Sequence, residues 1–199
     1  ERKAIEPILP LDLLKRRDTL IASIVTLVGY LAMAGTYYFS TFASMAFGFS
    51  YSMAAYMMLP LTISSLITTP VVGKLLDKVG AKPIMVVGGI IAAVGMLIIS
   101  YATDIYLFTF ALILIGIGNA SIVGNALYYI FLDETDKSQR ASGQALLNIL
   151  LNTGSLLGGA ILASALDFSA SGVVSFRHVY LYLAVVYVVL TILSLGIIG

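Results

Sequence analysis

The side chains of this chain that could recognise another molecule are uncharged amides, tyrosines and a methionine set within long apolar stretches. Gln144, Asn148 and Asn152 recur at intervals of four, which places them one turn apart on one face of a helix. An amide both donates and accepts hydrogen bonds, so such a face can orient a polar molecule without a fixed charge. The candidates for such contacts are Tyr30, Met33, Tyr37, Asn119, Asn125, Asn148 and Asn152. Each asparagine has an alternative role, an interhelical hydrogen bond of about 0.6 kcal/mol that holds the helices together.

The chain lacks the groups that enzymes and metal sites require. It has no cysteine and one histidine, His178, which lies beside Arg177. Asp, Glu, Lys and Arg are absent from residues 19–73, 83–103, 105–132, 141–166 and 178–199. Because acids, bases and metal ligands cannot converge in such a chain, we predict neither enzymatic activity nor a metal or other cofactor. The formal net charge of +1 argues against nucleic-acid binding.

Composition and the same charge-free stretches predict an all-α membrane protein. The chain has 199 residues, of which 60% are hydrophobic and 11% are charged, and its mean hydropathy is +1.03. A helix of about 20 apolar residues crosses the hydrocarbon core of a bilayer. The first stretch is long enough for two such helices, and each of the others for one. We therefore predict six membrane spans, numbered one to six, near residues 20–47, 53–73, 84–101, 105–132, 142–166 and 179–199.

The basic residues divide unequally between the two ends of such a bundle. Six spans place both termini and the loops after spans two and four on one side, which then holds ten of the eleven Lys and Arg residues. The opposite side holds Arg177 alone. By the positive-inside rule, both termini are predicted to be cytoplasmic. We expect residues 1–18 to form a cytoplasmic linker and residues 19–199 the bundle, and the start at Glu1 without a methionine suggests a part of a longer protein.

Small residues, a proline and tyrosines inside the spans predict how the helices pack and bend. Gly154 and Gly158 lie four residues apart, a spacing that lets two helix backbones approach closely. Pro60 within span two predicts a kink. Tyr128 and Tyr129, near the inner end of span four, are interpreted as anchors at the membrane interface.

The loop between spans two and three carries the most specific pattern of the chain. It reads Gly-Lys-Leu-Leu-Asp-Lys-Val-Gly-Ala-Lys-Pro from Gly73 to Pro83. An ordinary positively charged loop would explain its lysines but not the spacing of its glycines and its aspartate. Gly80 permits a tight turn with a positive φ angle. Asp77 is the only acid among three lysines, and it can face the positive end of a neighbouring helix dipole.

This loop resembles the signature of the Major Facilitator Superfamily, which it matches at Gly73, Leu75, Asp77, Lys78, Gly80 and Lys82. A second stretch, residues 140–161, is similar to the fifth span of the C-terminal half in the fourteen-helix drug:proton antiporter subfamily. Residues 10–17 and the Leu-Pro-Leu at 59–61 also resemble that subfamily, so the resemblance covers the whole chain. One departure concerns the fifth span, where Asn152 and Thr153 replace a basic residue that is common there.

The resemblance implies that the chain is the C-terminal six-helix half of a longer transporter, built as a three-plus-three inverted repeat. Its implied partners are the lipid bilayer, the N-terminal half of the same transporter, a small-molecule substrate and protons. The implied gating residues are Gly73, Asp77, Lys78, Gly80, Lys82, Asp133 and Arg140. Asp77 would meet a helix N-terminus of the other half, and Lys82 or Lys78 would pair with Asp133 or Glu134.

The function that the resemblance implies is secondary transport. The leading prediction is proton-coupled efflux of drugs or small organic molecules across the plasma membrane by alternating access. Because no acid lies within the spans, the coupling carboxylates are expected in the other half. Two alternatives stay open at this point. One is an importer or uniporter of the same fold, and the other is a membrane scaffold without transport activity, which would have no need of the glycine-aspartate loop.

Overall fold

The computed structural model of the protein describes residues 17–133, 140–166 and 172–196, which form helices joined by short turns, with no strand among them. Apolar runs of this length leave the backbone no hydrogen-bonding partner in a bilayer except itself, which is why they fold as helices. The helices are α1 Arg17–Met33, α2 Phe39–Phe47, α3 Tyr51–Tyr56, α4 Leu59–Val79, α5 Ala81–Ser100, α6 Ile105–Asn119, α7 Asn125–Asp133, α8 Arg140–Ala165 and α9 Gly172–Leu195.

Within the described residues, six helical stretches are long and apolar enough to cross a membrane, which is the predicted number. Their bounds are Thr19–Phe47, Tyr51–Val79, Ala81–Ser100, Ile105–Ile130, Ala141–Ala165 and Gly172–Leu195. Span six begins at Gly172 rather than near residue 179, so Arg177 lies within its second turn. There the guanidinium Nη2 donates a hydrogen bond to the carbonyl oxygen of Ala102 at 3.1 Å.

Spans one and two are each interrupted. In span one, a 3₁₀ segment at Ala34–Tyr38 separates α1 from α2. In span two, α3 ends at Tyr56 and α4 begins at Leu59, with Pro60 in its first turn. The predicted kink at Pro60 is therefore a break before the proline, because a proline in the first helical turn removes no intrahelical hydrogen bond.

Span four changes its helical geometry in the middle of the membrane. A π segment at Ala120–Gly124 joins α6 to α7. The N–H of Ala120 is shared among the carbonyl oxygens of Gly116, Ile117 and Gly118. The hydroxyl of Ser121 donates to the carbonyl oxygen of Ile117 at 2.8 Å. A π turn holds one residue more than an α turn, so the backbone is wider and less regular at this point.

The six spans are buried to very different extents. α5 packs most extensively against α6 and α9, and α1 packs against α8. In the most apolar window of each span, 56% of span three and 62% of span four is buried, against 28% of span five and 6% of span two. Spans three and four therefore lie in the centre of the bundle, whereas spans two and five leave broad surfaces uncovered.

Two glycines bring span five onto span one. A Cβ atom at Gly154 would lie 2.4 Å from the carbonyl oxygen of Leu27, and one at Gly158 would lie 2.4 Å from that of Leu31. Neither distance is compatible with a side chain. The close packing predicted from these two glycines is therefore confirmed, and it sets spans one and five side by side.

Buried aromatic rings tie span one to spans four and six. The ring of Phe42 lies 6.0 Å from that of Phe108, 6.0 Å from that of Phe176 and 5.4 Å from that of Tyr180, measured between centroids. All four side chains are fully buried. Such edge-to-face and tilted pairs add to the energy of packing, so this cluster holds α2, α6 and α9 together.

Candidate functional site

A line of uncharged polar side chains runs along the shared surface of spans one and five. The hydroxyls of Tyr37 and Ser155 are 3.0 Å apart. On span five, Nδ2 of Asn152 donates to the carbonyl oxygen of Asn148 at 2.8 Å, and both asparagines are exposed. Tyr37 is 62% exposed, so its hydrogen bond with Ser155 lies at the surface rather than in the core.

Tyr30 and Met33 continue this surface on span one. Both are half-buried and pack against the edge of the apolar core. Tyr30 lies close to span five, because a Cβ atom at Gly154 would be 3.1 Å from Cβ of Tyr30. We use the term polar path for the surface formed by Tyr30, Met33, Tyr37, Asn148, Asn152 and Ser155.

Tyr128 is half-buried in α7, and α7 packs against α1 and α8. Its role as an anchor at the membrane interface stays a prediction.

Asn119 does not lie on the polar path. Its side chain is 6% exposed, and its Oδ1 accepts a hydrogen bond of 2.5 Å from the hydroxyl of Tyr187 in span six. The structure therefore separates Asn119 from Asn148 and Asn152, with which the sequence grouped it. The side chain of Asn125 lies outside the described part of the chain, and its predicted contact with a substrate stays a prediction.

The glycine-aspartate loop is a sharp turn between two long helices. Gly80 ends α4 with φ +76° and ψ 177°, and α5 begins at the next residue. Asp77 and Lys78 are exposed on the last turn of α4, and Lys82 is half-exposed in the first turn of α5. Among the described side chains, none forms an ion pair with Asp77. Gly73 lies inside α4.

The expected partners of these lysines lie outside the described residues. Asp133 ends α7 and Arg140 begins α8, but their side chains are not among those described, and Glu134 lies in the gap at 134–139. The pairing of Lys82 or Lys78 with Asp133 or Glu134 therefore stays a prediction.

A second exposed surface is an apolar groove between spans two and four. Its volume is about 660 Å³. It is lined by Tyr56, Met57, Leu59, Pro60, Ile105, Tyr106, Thr109, Phe110 and Ile113. The groove can accept an apolar group but offers few polar partners. Within residues 17–133, 140–166 and 172–196, no three His, Asp or Glu side chains come together as metal ligands.

The comparison with protein families agrees with this architecture. A family model described as Major Facilitator Superfamily matches residues 22–198, which is nearly all of the chain. The chain belongs to the Major Facilitator Superfamily. The six apolar helices and the family together make it an integral membrane protein of a transporter superfamily.

Two curated relatives of this superfamily protein have names that refer to multidrug resistance or to multidrug transport. Multidrug resistance protein 2 of Bacillus subtilis (strain 168) is 29% identical over 107 residues, which cover 54% of this chain and 26% of the relative. Multidrug transporter protein MdtP of the same strain is 34% identical over 101 residues, which cover 50% of this chain and 19% of the relative. The matched part of the chain thus spans about a quarter or less of each relative.

Proposed function

We propose that this chain is one six-helix half of a transporter that exports drugs or other small organic molecules, driven by protons, by alternating access. The observation that carries the proposal is the polar path, an exposed and uncharged polar surface at membrane depth in a member of this superfamily. Two relatives named as multidrug proteins support the choice of substrate class.

The polar path requires something other than lipid to cover it. Asn152 lies twelve residues into α8, about 18 Å along the helix axis, which is near the middle of a bilayer. Polar side chains at that depth face other helices or a water-filled cavity, because hydrocarbon offers them no hydrogen bonds. In a cavity that takes up small organic molecules, water or the bound molecule can form hydrogen bonds with the polar groups of Asn148, Asn152 and Tyr37.

Spans two and five support a second six-helix half as the partner. Only 6% of the most apolar window of span two is buried within this chain, and span five combines exposed asparagines with apolar residues. A half that docks against these two spans would cover the apolar surface and leave the polar path facing a cavity between the halves. Alternating access then follows from rocking of the two halves around that cavity.

Asp77 is proposed to act in the gate rather than on the substrate. It is exposed at the end of α4, next to the positive-φ turn at Gly80, and no described side chain pairs with it. A carboxylate in that position can meet a helix N-terminus of the second half in one state and lose the contact in the other. Lys82 and Lys78 would pair with Asp133 or Glu134, and Arg140 would begin span five at the same end.

The proposed location is the plasma membrane with both termini in the cytoplasm. The positive-inside rule supports this orientation. Of the eleven Lys and Arg residues, ten lie at the termini and in the loops after spans two and four. The proposed proton coupling assigns its membrane-embedded carboxylates to the other half, because no Asp or Glu lies within residues 19–73, 83–103, 105–132, 141–166 or 178–199 of this chain.

Export of a fluorescent lipophilic dye from cells that express the full-length protein tests this function. We expect less dye to accumulate than in cells without the protein, and we expect a protonophore to abolish the difference. Faster uptake of the dye, or no difference with the protein present in the membrane, would contradict export. Export that a protonophore leaves unchanged would contradict proton coupling alone.

A further inference from the structure

Spans three and six leave an apolar groove between them on the outside of the bundle. Its volume is about 230 Å³, which is less than that of pockets that enclose drug-sized molecules. Two small residues, Ala93 and Ala184, are 7% and 6% exposed and form its floor. We use the term alanine groove for the surface lined by Ala93, Val94, Leu97, Leu181, Ala184, Val185 and Val188.

The alanine groove opens away from the rest of the chain. Its walls include Val185, which is 58% exposed, and Leu97, which is 44% exposed. None of the residues that line it belongs to spans two or five. A second half that docks on spans two and five would therefore leave the groove uncovered, and the lipid of the membrane would contact it.

The groove lies at the depth of the hydrocarbon chains. Ala93 and Ala184 each lie twelve residues, or about 18 Å, from the start of their helices α5 and α9. This places the floor near the middle of a hydrocarbon core about 30 Å thick. Alanine, valine and leucine side chains form no hydrogen bonds, so the groove suits an acyl chain. Because lipid chains are as apolar as these side chains, a specific site also needs a polar contact.

Arg177 supplies such a contact at one end of the alanine groove. It lies four residues before Leu181, on the same face of α9. Its hydrogen bond to the carbonyl oxygen of Ala102 joins span six to the segment that follows span three, the two spans that form the groove. Among the described residues the guanidinium has no other acceptor, and its Nε is unpaired. Since a guanidinium has five donors, donors remain for a phosphate group.

The length of the groove below Arg177 matches one leaflet of a bilayer. Val188, at the far end of the groove, follows Arg177 by eleven residues, or about 16 Å along α9. One leaflet contributes about 15 Å of hydrocarbon. Tyr101, which is 64% exposed, lies four residues beyond Leu97 at the end of α5, where its hydroxyl can donate to the same headgroup.

We propose that Arg177 and the alanine groove bind a phospholipid, with its phosphate on the guanidinium and one acyl chain between spans three and six. In the proposed orientation this lipid belongs to the outer leaflet. The charge-assisted hydrogen bonds from arginine to phosphate give the site its preference for a phospholipid over other apolar molecules. The site shares no residue with the polar path, so binding of the lipid does not depend on transport.

Titration of the delipidated full-length protein with dioleoylphosphatidylglycerol in detergent, followed by native mass spectrometry, tests the site. We expect a single tightly bound lipid in the wild type. Arg177→Gln should weaken its binding at least about tenfold, as for the loss of a charge-assisted hydrogen bond. Lys74→Gln is the control, because it removes an exposed positive charge at the opposite end of the bundle. It should leave the affinity within about twofold of the wild type.

A pair of valine variants tests the groove apart from the arginine. Val185 and Val189 are both exposed in α9, but only Val185 lines the groove. Val185→Trp places a large side chain in the groove and should weaken binding about tenfold, whereas Val189→Trp should leave it within about twofold. If Arg177→Gln fails to fold, this pair decides. Equal affinities for the two valine variants would overturn the proposal.

Two partial ligands separate the phosphate from the acyl chains. Dioleoylglycerol has the same chains without the phosphate, and glycerol phosphate has the phosphate without the chains. Each should bind at least about tenfold more weakly than the phospholipid. Equal binding of dioleoylglycerol would overturn the role of Arg177, and equal binding of glycerol phosphate would indicate a site for free anions instead. A dimer that excludes the lipid would assign the groove to a second copy of the chain and also overturn the proposal. No arm measures export, so failure of the proposed function leaves this test intact.

Discussion

The hydroxyl groups of Tyr37 and Ser155 lie 3.0 Å apart although 118 residues separate them in the chain. Their hydrogen bond connects span one to span five at the surface that the polar path forms. Because Tyr37 is mostly exposed, water or a ligand can replace this bond at little cost. The close packing of spans one and five therefore rests on Gly154 and Gly158 rather than on this hydrogen bond.

Tyr37→Phe should weaken substrate recognition without affecting stability. The variant keeps the ring and removes the hydroxyl, so we expect KM for the exported dye to rise about threefold at unchanged kcat. A threefold change corresponds to the loss of one hydrogen bond of about 0.6 kcal/mol. Initial export rates over a range of dye concentrations measure both constants. Tyr182→Phe serves as the control on an exposed tyrosine of span six. An unchanged KM would show that the Tyr37 hydroxyl does not bind the dye.

Gly158→Ala should destabilise the contact between spans one and five. The new Cβ would lie 2.4 Å from the carbonyl oxygen of Leu31, so the helices must move apart. We expect the free energy of unfolding to fall by about 1–3 kcal/mol, as for other overpacked sites. Thermal unfolding in detergent measures the change. Gly159→Ala is the matched control, since a Cβ there meets no atom within 4 Å; equal melting temperatures for the two variants would contradict this packing.

Asp77→Asn should slow transport while leaving the protein in the membrane. The amide keeps the size of the side chain but loses the charge that favours a helix N-terminus. We expect export to fall on the order of tenfold, within the range of coupling energies between conformational states. Dye export normalised to the amount of protein in the membrane measures the effect. Lys74→Gln, an exposed residue one turn earlier on the same helix, should export at the wild-type rate.

Gly80→Asn and Gly48→Asn should differ in their effects, although both glycines have a positive φ angle. Gly80 has φ +76° and ψ 177°, a region open almost only to glycine, whereas Gly48 has φ +69° and ψ 22°, which asparagine tolerates. We expect a loss of about 1–3 kcal/mol in the free energy of unfolding at position 80 and little change at position 48. Melting temperatures compare them directly, and a larger loss at position 48 would contradict this geometry.

Features that depend on one helix or one turn could be predicted from the sequence. The six spans follow from long charge-free stretches, because a bilayer core requires about 20 apolar residues per crossing. The turn at Gly80 follows from a glycine between two helical runs, and the spacing of Gly154 and Gly158 predicts a close helix contact, although not that span one is the partner. In each case a local pattern and a single physical requirement are sufficient.

The start of span six could not be predicted from the sequence. The charge-free stretch 178–199 begins after Arg177 and predicted a start near residue 179. The structure begins the helix at Gly172 and places Arg177 inside it, hydrogen-bonded to the carbonyl oxygen of Ala102. Pro60 was interpreted as a kink, but the chain uses it to begin α4. The position of Arg177 depends on Ala102, a hydrogen-bonding partner that only the fold brings close to it. The effect of Pro60 depends on where α4 begins, because a proline in the first turn removes no hydrogen bond from the helix.

Taken alone, the sequence determined which faces of the helices are polar, how many membrane spans the described residues form and which turn requires glycine. Only the tertiary structure decided which polar residues meet. Asn148 and Asn152 share an exposed surface with Tyr37, while Asn119 turns inward to Tyr187, 68 residues away along the chain. The physical reason is that helical periodicity gives the direction of a side chain around its own axis, whereas its partner depends on how the neighbouring helices pack against it.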